Sequence, residues 1–179
     1  MKGGGAWRRI GPPGEKGVTL PTPDIVLTRI DNRLVHGQVG AAWTVACGAN
    51  LLVVANDEAS QDKMMQSLMS MTAKANGVGI RFFSIQKTID VIGKASPRQH
   101  IFLVVQNPQD LRRIVEGGVP IKEVNIGNMH VGEGKHTWHE PHVYVDDQDL
   151  ADFKAMADRG VKFYIQLLPT DKRIENLGL

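Results

Sequence analysis

Residues 24–59 read DIVLTRIDNRLVHGQVGAAWTVACGANLLVVANDEA, and this stretch decides the fold. Ile25–Arg29 and Leu51–Ala55 are short runs dominated by Val, Ile, Leu and Ala. A strand with one wet face alternates polar and apolar residues, so near-continuous apolar runs predict strands covered on both faces. Gly37–Cys47, between them, predicts a helix. A strand, a helix and a second strand in alternation imply a mostly parallel sheet. The pattern repeats to the end of the chain. Further strands are expected at Ile80–Ser84, His100–Val105, Glu123–Ile126, His142–Val145 and Val161–Leu167, and helices at Ser60–Lys74, Ile85–Ala95, Pro108–Glu116 and Asp147–Arg159. Asn107-Pro108 and Asp146-Asp147 are start signals through capping, first-turn proline and charge at the helix dipole. Gly117 and Gly160 are stop signals. The fold class is therefore α/β: a single-domain, open, mostly parallel sheet with helices on both faces.

Residues 1–23, MKGGGAWRRIGPPGEKGVTLPTP, carry glycines, prolines and charges without helical or strand periodicity. They are read as a disordered leader, of expression-vector rather than natural origin, and residues 24–179 as the domain. A chain of 179 residues suits one domain that needs neither disulfide nor structural metal to fold. Its net charge of +2 argues against nucleic-acid binding. One cysteine, Cys47, precludes an internal disulfide and fits a reducing compartment. No apolar run approaches the roughly 20 residues of a membrane span, so a cytoplasmic protein is expected.

In an open parallel sheet, ligands bind beyond the carboxyl ends of the strands. The first such loop reads Arg29-Ile30-Asp31-Asn32-Arg33-Leu34-Val35-His36-Gly37-Gln38-Val39. It brings a carboxylate, a guanidinium and an imidazole to the start of a helix, whose free amides and dipole favour an anion. Neutral histidine is a nucleophile near pH 7. Arginine makes paired contacts to phosphoryl oxygens, and Asp31 is placed to hold one imidazole tautomer. Gly37 leaves room beside His36. From the residues alone the loop remains either such a site or a solvated turn with a salt bridge. It is neither a dinucleotide fingerprint nor a P-loop, because neither glycine spacing is present.

The segment Arg29–Val39 resembles the phosphorylation-site signature of the mannose/fructose/sorbose-family IIB subunits of the bacterial sugar phosphotransferase system. The resemblance continues through Val53-Val54-Ala55-Asn56-Asp57-Glu58-Ala59, Val124-Asn125-Ile126-Gly127-Asn128-Met129 and Leu168-Pro169-Thr170-Asp171. It implies a phosphotransferase in which His36 accepts a phosphoryl group on Nδ1 from a IIA subunit's phosphohistidine. The group then passes to a sugar held by membrane IIC and IID subunits, with the chain transiently at the inner face of the membrane. It further implies that Arg33 stabilises the group in flight and that Asp31 supports the histidine. Arg29, Asn32, Gly37, Gln38, Asn128 and Met129 are implied as substrate- or partner-binding positions. No cofactor and no metal are implied. Asn128-Met129-His130 with Glu133-Gly134-Lys135 resembles N-acetylgalactosamine or galactosamine subunits more than mannose ones; mannose, fructose and sorbose are the alternatives. A phosphate- or sugar-binding module without covalent chemistry is the competing class, since fold alone permits both.

The other constellations have plainer readings. His130, His136, His139 and His142 cluster in sequence but match no zinc spacing, and no metal is expected there. Asn56-Asp57 reads as a turn and cap. Met64, Leu68 and Met71 fall at helical spacing and predict a packed core face. Trp43 and Phe163 read as core, Cys47 as a buried thiol, and Trp138 as an exposed contact in the Gly127–His139 loop.

Overall fold

The computed structural model describes residues 22–37 and 39–179. Most of the expected leader, residues 1–21, and Gln38 lie outside the described residues.

Six parallel strands form one sheet in the order β3-β2-β4-β1-β5-β8. In chain order the elements are β1 (Ile25–Asp31), a π-helical segment (Val39–Trp43), α1 (Thr44–Cys47), β2 (Leu51–Ala55), α2 (Lys63–Ala75), β3 (Gly79–Phe83) and α3 (Ile85–Val91). They continue as β4 (Ile101–Val105), α4 (Pro108–Glu116), β5 (Glu123–Asn128), β6 (His136–Trp138), β7 (Glu140–Val145), α5 (Asp147–Ala157) and β8 (Lys162–Ile165). The apolar runs are explained by two separate cores. Leu52, Val54, Phe102 and Val104 face the π-helical segment and α2, whereas Val53, Ala55, Leu103 and Val105 face α3, α4 and α5. Alternate residues of β2 and β4 thus bury on opposite faces, and no position on these two strands is left for a polar side chain.

The caps form as their chemistry demands. Asn107 accepts from the Asp110 amide ahead of Pro108. Asp146 and Asp149 form a reciprocal capping box at α5. Helix α2 starts at Lys63 rather than Ser60, because Asp62 accepts from the Met64 and Met65 amides and closes the end there.

Three expectations are corrected. The segment Gly37–Cys47 is not one α-helix, since Val39–Trp43 is π-helical. The Thr44 hydroxyl donates to the carbonyl oxygens of Val39 and Gly40 inside that segment, drawing these acceptors towards a side chain. Second, the strand expected at His142–Val145 is not in the main sheet. It lies within β7, which pairs antiparallel with β6 in a separate ribbon. Both sides of β5 are already taken, by β1 and β8. The ribbon instead meets the end of β5 through Met129 and Val143. Third, Met64, Leu68 and Met71 are exposed, and α2 buries Met69 and Ala73 instead. Both stripes have helical spacing, so periodicity alone does not choose between them.

What positions the site is the central place of β1 between β4 and β5. The chain leaving β1 turns to the face that carries α2, while the chains leaving β4 and β5 contribute to the opposite face. Adjacent strands whose connections diverge leave a crevice at their carboxyl ends.

Candidate active site

The loop after β1 is organised around the carboxylate of Asp31, which has no solvent exposure. Its Oδ1 accepts the Arg33 amide at 3.1 Å, and Oδ2 accepts Arg29 Nη2 at 2.9 Å and Nε at 3.3 Å. Oδ2 also lies 3.2 Å from His36 Nε2. Burial works to raise the Asp31 pKa, but the His36 hydrogen bond and the Arg29 charge outweigh it and hold the carboxyl below its ordinary range. The anion is therefore held at neutral pH. Leu34 lies between Arg33 and His36 in the chain with φ of 55°, an uncommon value for a residue with a branched side chain. Its side chain is buried against the α2 face, and that burial holds the turn that presents Arg33 and His36.

Asp31, Arg33 and His36 are thus brought together as the sequence predicts. The His36 side chain is 21% exposed and that of Arg33 43%, with Arg33 Nε 3.6 Å from Asp31 Oδ1. A Cβ built on Gly37 meets no atom of the described residues other than its chain neighbours within 4 Å, so the position itself is open.

The remaining expected positions divide. Arg29 is fully buried, and its guanidinium faces inward onto Asp31, Asn125 and the Gln166 carbonyl rather than onto an exposed surface. Met129 is 3% exposed and packs in the core, with its backbone stitched to His142 and Tyr144 of the ribbon. Asn32 is a brace: its Oδ1 accepts the His130 amide and its carbonyl accepts Gln106 Nε2 at 3.3 Å. Gln106 in turn accepts from Asn56, so the loops leaving β1, β2, β4 and β5 are joined along one edge. Asn128 accepts the Asn32 amide through its carbonyl, and its buried Nδ2 has no partner among the described residues.

Among the histidines, His139 Nε2 meets the Leu177 carbonyl at 3.2 Å, while the Nε2 of His142 is buried without a partner among the described residues. Burial lowers the His142 pKa. Trp138 is not an exposed contact, because it stacks on Phe153 with ring centres 5.4 Å apart. Asn56 accepts the Ala59 amide and Asp57 the Ile85 amide, as a turn and cap require. Trp43 and Phe163 are buried; Cys47 is half-buried, and desolvation raises its pKa.

Sequence reasoning missed the shell behind Asp31. Asn125 on β5 and Gln166 after β8 hold Arg29, and Trp43 lies over its guanidinium, 5.2 Å from carbon to ring centre. Gly127 faces it so closely that an added Cβ would lie 1.9 Å from Arg29 Cζ. The available signal was an asparagine and a glycine inside the strand segment Glu123–Asn128, where each is out of place unless something packs against it.

A model of the PTS system sorbose subfamily IIB component family matches residues 25–178. The chain is 55% identical over 154 residues to the N-acetylgalactosamine-specific phosphotransferase enzyme IIB component 1 of Escherichia coli K12, covering 86% of this chain and 97% of that protein. It is 34% identical to the mannose-specific EIIAB component of the same organism, covering 87% of this chain and 48% of that one. A crystal structure of the E. coli N-acetylgalactosamine-specific IIB component 1 superimposes with a TM-score of 0.82 at 56% identity, covering 84% of this chain and 98% of that one. The sheet order, the loop after β1 and these likenesses agree, and the chain belongs to the sorbose-subfamily IIB components of the phosphotransferase system.

Proposed function

We propose that His36 Nδ1 is the phosphoryl carrier of this phosphotransferase component. The group arrives from a phosphohistidine of a IIA protein and leaves for a sugar handled by membrane IIC and IID subunits. The observation that carries the reading is the 3.2 Å contact between His36 Nε2 and the buried Asp31 carboxylate. A carboxylate can only accept, so it selects the tautomer with the proton on Nε2 and leaves the lone pair on Nδ1. In the transfer, the donor's P–N bond breaks as a bond from phosphorus to Nδ1 forms, and the donor ring departs with its electron pair. His36 then carries a proton on one nitrogen and the phosphoryl on the other, and the Asp31 anion offsets the positive charge that develops on the ring. Arg33, half-exposed beside it, supplies a planar fork for the equatorial oxygens. Alignment and charge stabilisation are what this exchange needs.

N-acetylgalactosamine, or galactosamine, is the proposed sugar, on the strength of the relatives named above; mannose, fructose and sorbose are the alternatives. The mannose-specific EIIAB relative, of which this chain covers 48%, supports a IIA domain as donor. No helix among the described residues is long and apolar enough to cross a membrane. This fits a subunit that meets IIC and IID transiently at the inner membrane face.

The test is incubation with phosphorylated IIA, followed by intact-mass measurement and 15N NMR of the His36 ring. The wild-type chain gains one acid-labile phosphoryl group with its phosphorus on Nδ1, and His36→Ala gains none while keeping its melting temperature. Full phosphorylation of His36→Ala refutes the assignment, and phosphorus on Nε2 refutes the role given to Asp31.

A further inference from the structure

We infer that Asn125 is a positioning residue for phosphoryl transfer, acting on His36 through Arg29 and Asp31; the inference rests on His36 being the carrier. Arg29 on β1 and Asn125 on β5 are register partners, so their side chains emerge side by side on one face of the sheet. Neither has any solvent exposure. Asn125 Oδ1 accepts from Arg29 Nη1, and Asn125 Nδ2 donates to the Gln166 carbonyl at 3.1 Å. That carbonyl also accepts from Arg29 Nη1 at 3.2 Å. Asn125 therefore closes a ring of hydrogen bonds between β1, β5 and the end of β8.

The geometry follows from donor counting. A guanidinium has five N–H groups in a fixed plane, so anchoring one edge sets the direction of the opposite edge. Here Nη1 is anchored by Asn125 and Gln166, and Nε and Nη2 are thereby aimed at Asp31 Oδ2. The same oxygen holds His36 Nε2. The chain Asn125–Arg29–Asp31–His36 is rigid because each member is buried or nearly so and each has its partner. Without the Asn125 oxygen, one N–H of Nη1 is orphaned in a dry site, and the guanidinium rotates to satisfy it. The Asp31 carboxylate then loses its fixed direction, and the imidazole with it. Transfer depends on alignment of donor nitrogen, phosphorus and acceptor nitrogen, whereas docking of a partner depends on exposed surface that Asn125 does not touch.

Asn125→Ala is compared with the wild-type full-length chain in phosphoryl transfer from phosphorylated IIA. The turnover-limiting rate at saturating donor falls by about tenfold to a hundredfold, while the donor KM stays within about twofold. In 15N-edited NMR of the unphosphorylated chains, the wild-type His36 Nε2–H signal is sheltered by Asp31, and in the variant it broadens into exchange with water. Ile114→Val, a buried change on α4, controls for stability: it lowers the melting temperature but leaves both readouts at wild-type values. Should Asn125→Ala fail to fold, Asn125→Ser, whose shorter side chain withdraws the Oδ1 acceptor from Arg29 Nη1, carries the same test. A wild-type rate and an unchanged Nε2–H signal in the Asn125 variant overturn the inference. So does a rise in KM that accounts for the whole loss, or an equal loss in Ile114→Val. If the wild-type chain carries phosphoryl on His36 while Asn125→Ala is unimpaired, the positioning role alone fails. If the wild-type chain is never phosphorylated on His36, the carrier reading fails and the positioning role falls with it.

Discussion

Replacing Gly127 by alanine tests the buried shell by steric means alone. The added Cβ would sit 1.9 Å from Arg29 Cζ, 2.0 Å from Nη2 and 2.4 Å from Nε. Carbon atoms pack at about 3.5 Å or more, so the guanidinium must retreat by roughly 1.5 Å. The Arg29 Nη2–Asp31 contact is 2.9 Å, and a retreat of that size takes it outside hydrogen-bonding range. The neighbouring strands β1 and β8 flank β5 and leave the backbone little freedom to yield. Breaking a buried ion pair costs about 3–5 kcal/mol. At about 2–4 °C per kcal/mol for a chain of this size, the melting temperature should fall by roughly 6–20 °C. Thermal unfolding monitored by circular dichroism measures it. Gly93→Ala is the matched control, because a Cβ there meets nothing within 4 Å; it should melt within about 2 °C of wild type. A Gly127→Ala protein that melts like the Gly93→Ala control would show that the guanidinium does not need its place over Gly127. The account of Arg29 given above would then be wrong.

Arg33→Lys keeps the charge of the loop but loses the planar fork, so transfer from phosphorylated IIA should slow by roughly a hundredfold to a thousandfold. Quench-flow beside a titration with unphosphorylated IIA checks this, and equal losses in rate and affinity would assign Arg33 to docking. Stability should fall on acidification in two stages. His142 is depressed by burial from its ordinary value of 6.5, so the unfolded chain takes up its proton first and stability declines as pH drops below that value. Asp31, Asp57 and Asp146 are held below their ordinary value of 3.8, so their contribution is complete above it and is lost as pH falls through the lower folded values. Denaturant titrations across pH should show both stages, and His142→Asn should remove the upper one alone. Replacing Met64, Leu68 and Met71 together by glutamine should leave the melting temperature within about 2 °C of wild type, since all three are exposed; a large drop in a thermal scan would mean that they are packed after all.

The parallel sheet was legible because Leu51–Ala55 and Ile101–Val105 must bury both faces, and that demand is written in their side chains. The loop after β1 stood out because it carries charged and nucleophilic residues at the carboxyl end of such a strand, but it was the likeness to the family signature, not the spacing, that singled out Asp31, Arg33 and His36. The rest depends on distant pairing. Nothing local to His136–Trp138 marks it as a strand; its partner β7 makes it one. Met64, Leu68 and Met71 repeat at the helical period as well as Met69 and Ala73 do, and only contact with β2 and β3 tells which stripe is inside. Arg29 was placed on the substrate side because it is charged and adjoins the loop. Its burial is decided by Asn125 and Gln166, 96 and 137 residues further along the chain.

That separation has a consequence for biosynthesis. Arg29 leaves the ribosome well before Asn125 and Gln166, the residues that hold its guanidinium. Its last two acceptors of position, the Gln166 carbonyl and the Trp43 ring that is tethered to the Leu167 carbonyl, are complete only when the end of β8 has emerged. Contacts of such long range are the slow ones in folding, since the intervening chain must first be ordered. A nascent chain halted before Gln166 therefore lacks the carbonyls that fix Arg29 beside Asp31 and tether the Trp43 ring.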